Sequence, residues 1–115
     1  MAVVYSTAAL VKKRCDNLDA GMADADIEEC IYNAEGIIDA LIKDTFTVVF
    51  DADKHKIIRQ AATDIAAYLA VIHNPGDSFL TLADAEFTEN LLWNSAQRSL
   101  SILDDSTVIV YLKAL

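Results

Sequence analysis

From Asp24 to Lys43 apolar residues return at steps of three and four, the period that places one stripe along an α-helix. Ile27, Ile31, Ala34, Ile38 and Leu41 form that stripe, broadened by Cys30, Ile37 and Ile42, while Glu28, Glu35, Asp39 and Lys43 fall on the wet side. The helix begins at Asp24 or Asp26, with Glu28 and Glu29 in its first turn, where the helix dipole favours negative charge. Upstream, Ser6 or Thr7 caps a short first helix; Val11, Cys15 and Leu18 recur at steps of four and three, and the pattern ends near Asn17, before Gly21. A third helix opens after Asp51 and Asp53, both capping candidates, and runs to about His73, where Asn74-Pro75-Gly76-Asp77 stops it. From Ala61 onward this helix is apolar on nearly every face, which predicts a central position covered on several sides. Thr81, with Asp84 three residues on, opens a fourth helix. Its inner face carries Phe87, Leu91, Leu92, Ala96, Leu100 and Leu103, and it closes at Asp104-Asp105-Ser106.

Two stretches leave the helical period. Thr45 to Phe50 is β-branched and aromatic, which predicts a strand or packed extended loop with Phe46, Val48 and Phe50 on one face. Thr107-Val108-Ile109-Val110-Tyr111-Leu112 is rich in strand formers and has no polar helical face, which predicts an extended tail seeking a partner edge. With 115 residues there is core enough for one domain and not for two. The expected fold is therefore mainly α: a single domain over 1–115, a small bundle of about four helices with short extended segments at 45–50 and 107–112. Residues 107–115 serve in this reading as an extended C-terminal docking tail, with Val108, Ile109, Val110, Tyr111 and Leu112 as its partner-binding residues.

Composition changes this picture in one direction. Hydrophobic residues reach 54%, but 18 of them are alanine, which points to close helix packing and not to membrane insertion. The longest apolar stretch, Ala61 to Ile72, is broken by Thr63 and Asp64 and falls short of the roughly 20 residues a membrane span requires. The opening residues carry no basic region ahead of their short apolar run, which argues against a cleaved secretion signal. Eighteen acidic residues against nine basic give a net charge of −9, a balance that repels phosphate backbones and disfavours sequence-specific nucleic-acid binding. Cys15 and Cys30 have no Cys or His partner at metal spacing; a disulfide is possible, and small buried thiols fit a reducing compartment better.

Signatures of catalysis are sparse. Gly21, Gly36 and Gly76 stand alone, so no glycine-rich loop can cradle a phosphate. His55 and His73 belong to no metal-binding spacing; His55 reads as a surface residue and His73 as a helix-end residue near the favourable dipole. Asp51-Ala52-Asp53-Lys54-His55 begins like a calcium loop, but Lys56 and Ala62 occupy the positions that need glycine and glutamate. Neither a metal nor any other cofactor is expected. Gly76-Asp77-Ser78-Phe79 resembles the Asp-Ser-Leu of acyl carrier proteins, although Ser78 follows two long helices instead of one, and turn chemistry accounts for the same residues. Asp64 is the one charge on an otherwise apolar surface and needs a partner: Arg98, Arg59 or a helix N-terminus. The basic residues form two knots, Lys12-Lys13-Arg14 and Lys54-His55-Lys56 with Arg59, which are either solvated faces or docking points for an acidic partner.

Taken in order, Tyr5-Ser6-Thr7-Ala8-Ala9-Leu10, then Asp24-Ala25-Asp26-Ile27 leading to Ala34-Glu35-Gly36-Ile37-Ile38-Asp39-Ala40-Leu41-Ile42, then Ala61-Ala62-Thr63-Asp64-Ile65-Ala66-Ala67-Tyr68-Leu69, resemble the head-tail connector family of tailed phages, also called adaptor or head-completion proteins. The resemblance runs over residues 5 to 103, and departs from the family's common form where Thr45 to Phe50 replaces a proline after the second helix. It implies a structural virion protein without catalytic residues, assembled in the host cytoplasm and located at the head-tail interface. Such proteins form a ring, typically twelve-fold, beneath the portal protein, extend its DNA channel and present a surface to a tail-side completion or stopper protein. On that reading Asp44, Asp51, Asp53 and Asp77 are candidates to face the channel lumen, and Lys12, Lys13, Arg14, Lys54, Lys56 and Arg59 to face protein partners. The apolar stripes suffice for one core, which predicts weak self-association away from the portal. An acidic helical inhibitor or DNA mimic is the rival class, and an acyl-carrier-like protein a further one; the carboxylates gather mainly at helix ends, which favours a bundle over a mimic.

Overall fold

The computed structural model describes residues 3–14, 23–73 and 82–115, with side chains for all of these except residues 73 and 82–89. Among the described residues there are five helices and no strand: α1 (Ala8–Arg14), α2 (Asp24–Ile42), α3 (Lys56–His73), α4 (Leu82–Leu103) and α5 (Ser106–Ala114). The mainly helical bundle read from the periodicity is the fold, elongated to 45 × 27 × 21 Å.

α3 is the central element, packed by α2 on one side and α4 on another, with α1 laid across it. Its sequence accounts for this, because Ala61, Ala62, Ala66, Ala67 and Ala70 are all fully buried and small enough for neighbours to approach closely. Ile58, Ile65 and Val71 fill the spaces between, meeting Ile27, Ile31 and Ile38 of α2 and Leu92, Ala96 and Leu103 of α4 in one core. α1 starts where expected: the Thr7 hydroxyl accepts the Leu10 N–H at 3.2 Å, a capping bond, and Val11 enters the core. Cys15, Leu18 and Gly21, with the Asn74-Pro75-Gly76-Asp77 turn, Ser78 and Thr81, lie outside the described residues, as does the side chain of Phe87.

The structure corrects the final segment. Residues 107–112 are helical, within α5, and form no extended tail. Asp105 is the reason: its side chain accepts the Thr107 N–H at 2.9 Å, so the acidic pair that ends α4 also caps a new helix. Burial of Ile109 and Leu112, three residues apart on one face, then outweighs the strand preference of the β-branched run. Residues 45–50 form a loop, with Phe46 buried and Phe50 half-buried, whereas Val48 and Val49 face solvent.

Several face assignments also change. On α2, Leu41 and Ile37 are exposed while Glu35 is buried; on α4, Leu91 is exposed and Ser99 is buried on the line Leu92, Ala96, Leu103. The α3 cap moves as well. Asp51 closes a local turn by accepting the Asp53 N–H at 2.9 Å, and the helix starts one turn later, with the His55 carbonyl accepting the Arg59 N–H. No described helix is long and apolar enough to cross a membrane.

Candidate interaction surfaces

Three buried polar arrangements hold the bundle together, and each takes up residues that stood out in the sequence. The first is built on Glu35. One of its carboxylate oxygens accepts the backbone N–H groups of Val4 and Tyr5 at 2.6 and 2.8 Å, which satisfies two donors of the non-helical opening segment. The Tyr5 hydroxyl donates to Asp39 one turn further along α2, and Arg59 donates from Nε to the Tyr5 carbonyl at 3.1 Å. Next to it, Thr63 donates to the Arg59 carbonyl, so at the 2.6 Å contact between the two hydroxyls Ser6 is the donor to Thr63. The opening segment is thereby fastened to α2 and α3 together. Burial, the bond to Asp39 and the charges of Asp39 and Glu35 all push the Tyr5 hydroxyl above its ordinary value.

That shift has a pH consequence with a definite sign. A tyrosine that holds its proton more tightly when folded stabilises the fold fully below its unfolded value of 10.0 and loses that contribution as pH rises through the folded value. Tyr5→Phe should therefore be less stable than the native chain by about 1 kcal/mol at neutral pH. The gap should close as pH rises past 10, which urea unfolding followed by circular dichroism will read; a gap that stays constant would remove Tyr5 as its cause.

The second arrangement answers what Asp64 needs. Asp64 is 1% exposed, and its partner is neither Arg98 nor Arg59 but Arg14, whose Nε lies 2.7 Å from one carboxylate oxygen; Ser95 donates to the other at 2.6 Å. The sequence pattern missed Arg14 because it sits in the basic knot of α1, fifty positions away. The third centres on His55, which is buried and not on the surface. Its Nδ1 accepts the Asp51 N–H at 2.8 Å, which leaves the proton on Nε2 to be donated to the Leu112 carbonyl at 3.0 Å. Phe46 and Phe50 stand against the imidazole with ring centroids 4.9 and 5.9 Å away. His55 thus joins the α2–α3 loop to α5.

These bonds divide the basic knots. Lys12 pairs with Asp24 at 2.6 Å, Arg14 with Asp64, and Arg59 is held by Tyr5, whereas Lys13, Lys54 and Lys56 are in no ion pair among the described residues. Of the lumen candidates, Asp44, Asp51 and Asp53 are exposed on the loop between α2 and α3, alongside Lys54 and Lys56; Asp77 lies outside the described residues. Asp51 and Asp53 thus lie next to Lys54 in the chain, with Lys56 and Arg59 following in the first turn of α3. In α5, Ile109 and Leu112 are buried and Val108 half-buried, so only Val110 and Tyr111 of the five tail residues are open to a partner.

Cys30 is a free, buried thiol. Burial first, then the Glu29 and Asp26 carboxylates, push it above its ordinary value. In a Cys15→Ser chain, Cys30 should react with a thiol reagent at least about tenfold more slowly folded than in urea, with an alkaline-shifted pH profile. Equal rates would place the thiol at the surface.

More apolar surface remains than the stripes suggested. Ile37, Ala40 and Leu41 of α2, Leu100 and Ser101 of α4, and Asp104 just after it border an open groove of about 490 Å³. Comparison with models of protein families, with curated proteins and with solved structures finds no match.

Proposed function

We propose that this chain is a head-tail connector subunit of a tailed phage: a structural protein that forms a ring beneath the portal, extends the DNA channel and offers an attachment surface for a tail-side completion protein. The observation that carries the reading is that the three segments bearing the resemblance are the ones that grip each other. Tyr5 and Ser6 of the first are bonded to Glu35 and Asp39 of the second and to Thr63 of the third. The order of these segments is therefore tied to one tertiary arrangement. The exposed carboxylates of Asp44, Asp51 and Asp53 on one loop, in a chain of net charge −9, suit a wall past which DNA slides without adhering. The ring would act in the virion neck after assembly in the host cytoplasm.

Negative-stain imaging of the protein mixed with its cognate portal tests this directly. A ring added to the portal vertex is expected, and a protein that leaves the portal bare sinks the proposal. Once a ring is in hand, Asp44→Lys combined with Asp53→Lys should slow DNA ejection, because each added cation is multiplied by the subunit number and must be displaced from phosphate. Asp51 is left in place because its carboxylate closes the loop. Unchanged ejection with impaired assembly would turn this loop from the lumen to a protein neighbour.

A further inference from the structure

Among the described residues the groove between α2 and α4 and the outer face of α5 are two apolar surfaces the bundle leaves uncovered, and they complement each other. On the groove side Ile37 is 46% and Leu41 38% exposed, and Asp104 sets a negative charge at the rim. One turn before Ala40 stands Gly36, where an added Cβ would meet nothing within 4 Å. A mid-helix glycine costs about 0.5–1 kcal/mol relative to alanine, and no neighbour among the described residues crowds this position. It keeps the backbone of α2 accessible beside the groove, as a close approach from outside would demand.

On the other side, α5 turns Ile109 and Leu112 inward and is held in that orientation by His55, which leaves Val110 and Tyr111 facing outward. They are 63% and 61% exposed. Charge selects the pairing. α5 contains Lys113 and no acid, whereas α2 contains Asp24, Asp26, Glu28, Glu29, Glu35 and Asp39 and no base. Two grooves facing each other would set acidic helix against acidic helix, and α5 against the groove sets a cation against Asp104.

We infer that the α2–α4 groove receives the Val110–Tyr111 face of α5 from a second copy of this chain, a head-to-tail contact between unlike surfaces. Such contacts close into rings when the rotation permits, so the inference rests on the ring in the function proposed above and names its subunit interface. Stable complexes bury ~1,200 Å² or more, and a contact centred on two side chains of α5 is a weak one between free subunits. A platform that holds neighbours in place supplies the effective concentration it lacks.

The test uses the full chain with Cys15→Ser and Cys30→Ala. One preparation adds Ala40→Cys, another Val110→Cys, and the two are mixed under mild oxidation. The disulfide-linked mixed dimer should exceed either homodimer by about tenfold, the ratio given by 1.4 kcal/mol of preference. Adding Gly36→Leu to the Ala40→Cys chain should abolish that excess without lowering the melting temperature, because the new side chain enters open space in the single subunit. An excess of Ala40→Cys homodimers, or mixed dimers no more abundant than random pairing, overturns the inference. So does a Gly36→Leu chain that still forms rings on the portal, and that result leaves the ring itself standing. Mixed dimers from a protein that never binds a portal would uphold the contact while removing the connector function.

Discussion

Arg14→Met should lower the unfolding free energy by about 3–5 kcal/mol, the penalty for removing one partner of a buried ion pair. The two partners are not equivalent. Asp64 is 1% exposed, whereas the Arg14 side chain is 36% exposed, so arginine bereft of aspartate can turn to water but aspartate bereft of arginine cannot. Ser95 alone would then face a buried carboxylate. Asp64→Leu should accordingly cost less than Arg14→Met, and the double substitution should recover most of the loss. Urea unfolding of the three chains decides it; a cost under about 1 kcal/mol for Arg14→Met would mean that water reaches Asp64 and that the pair is a surface one.

Removing residues 106–115 should be more damaging still. Ile109 and Leu112 are 3% and 2% exposed, and truncating either to alanine in such a setting costs about 2–5 kcal/mol. Losing both, together with the acceptor of the His55 proton, approaches the entire 5–15 kcal/mol that holds a domain of this size folded. The shortened chain should lose its cooperative thermal transition, while Val110→Ser with Tyr111→Ser should leave the melting temperature within a few degrees. A truncated chain that melts near the native temperature would show α5 to be an accessory after all.

These two regions mark where the sequence could and could not be read. The stripes of α2 and α3 were legible because a helix that must bury one face repeats its apolar residues at a fixed step, and Ile27, Ile31, Ala34 and Ile38 do so. α5 was not, because local preference in Thr107 to Val110 pointed to a strand and the deciding terms were a cap from Asp105 and burial by distant residues. Its signal was present in Asp105-Ser106 followed by Ile109 and Leu112 three apart, a capped helix start that a turn explained equally well. Glu35 looked like a solvated residue because its wet position on α2 is covered by the opening segment, which has no periodicity of its own. That Asp64 needs a partner followed from chemistry; that the partner is Arg14 depends on how α1 crosses α3, which no spacing encodes. Of the candidate surfaces, the loop acids and the exposed half of α5 were visible as residue types, and the groove was not, since Leu41 and Ile37 carry the same periodic signal as the core.

The fastening of the opening segment sets a timetable for synthesis. Val4 and Tyr5 find their acceptor 31 and 30 positions downstream, and Ser6 meets Thr63 only 57 positions later. At ribosomal speeds of 5–20 residues per second, Ser6 is made on the order of 3–12 s before its partner. Residues 4–6 thus wait for partners made later, and α2 supplies the first of these before α3 supplies the second. Docking of this segment is therefore completed in two steps, first on α2 and then on α3, both open to it before α5 has been made.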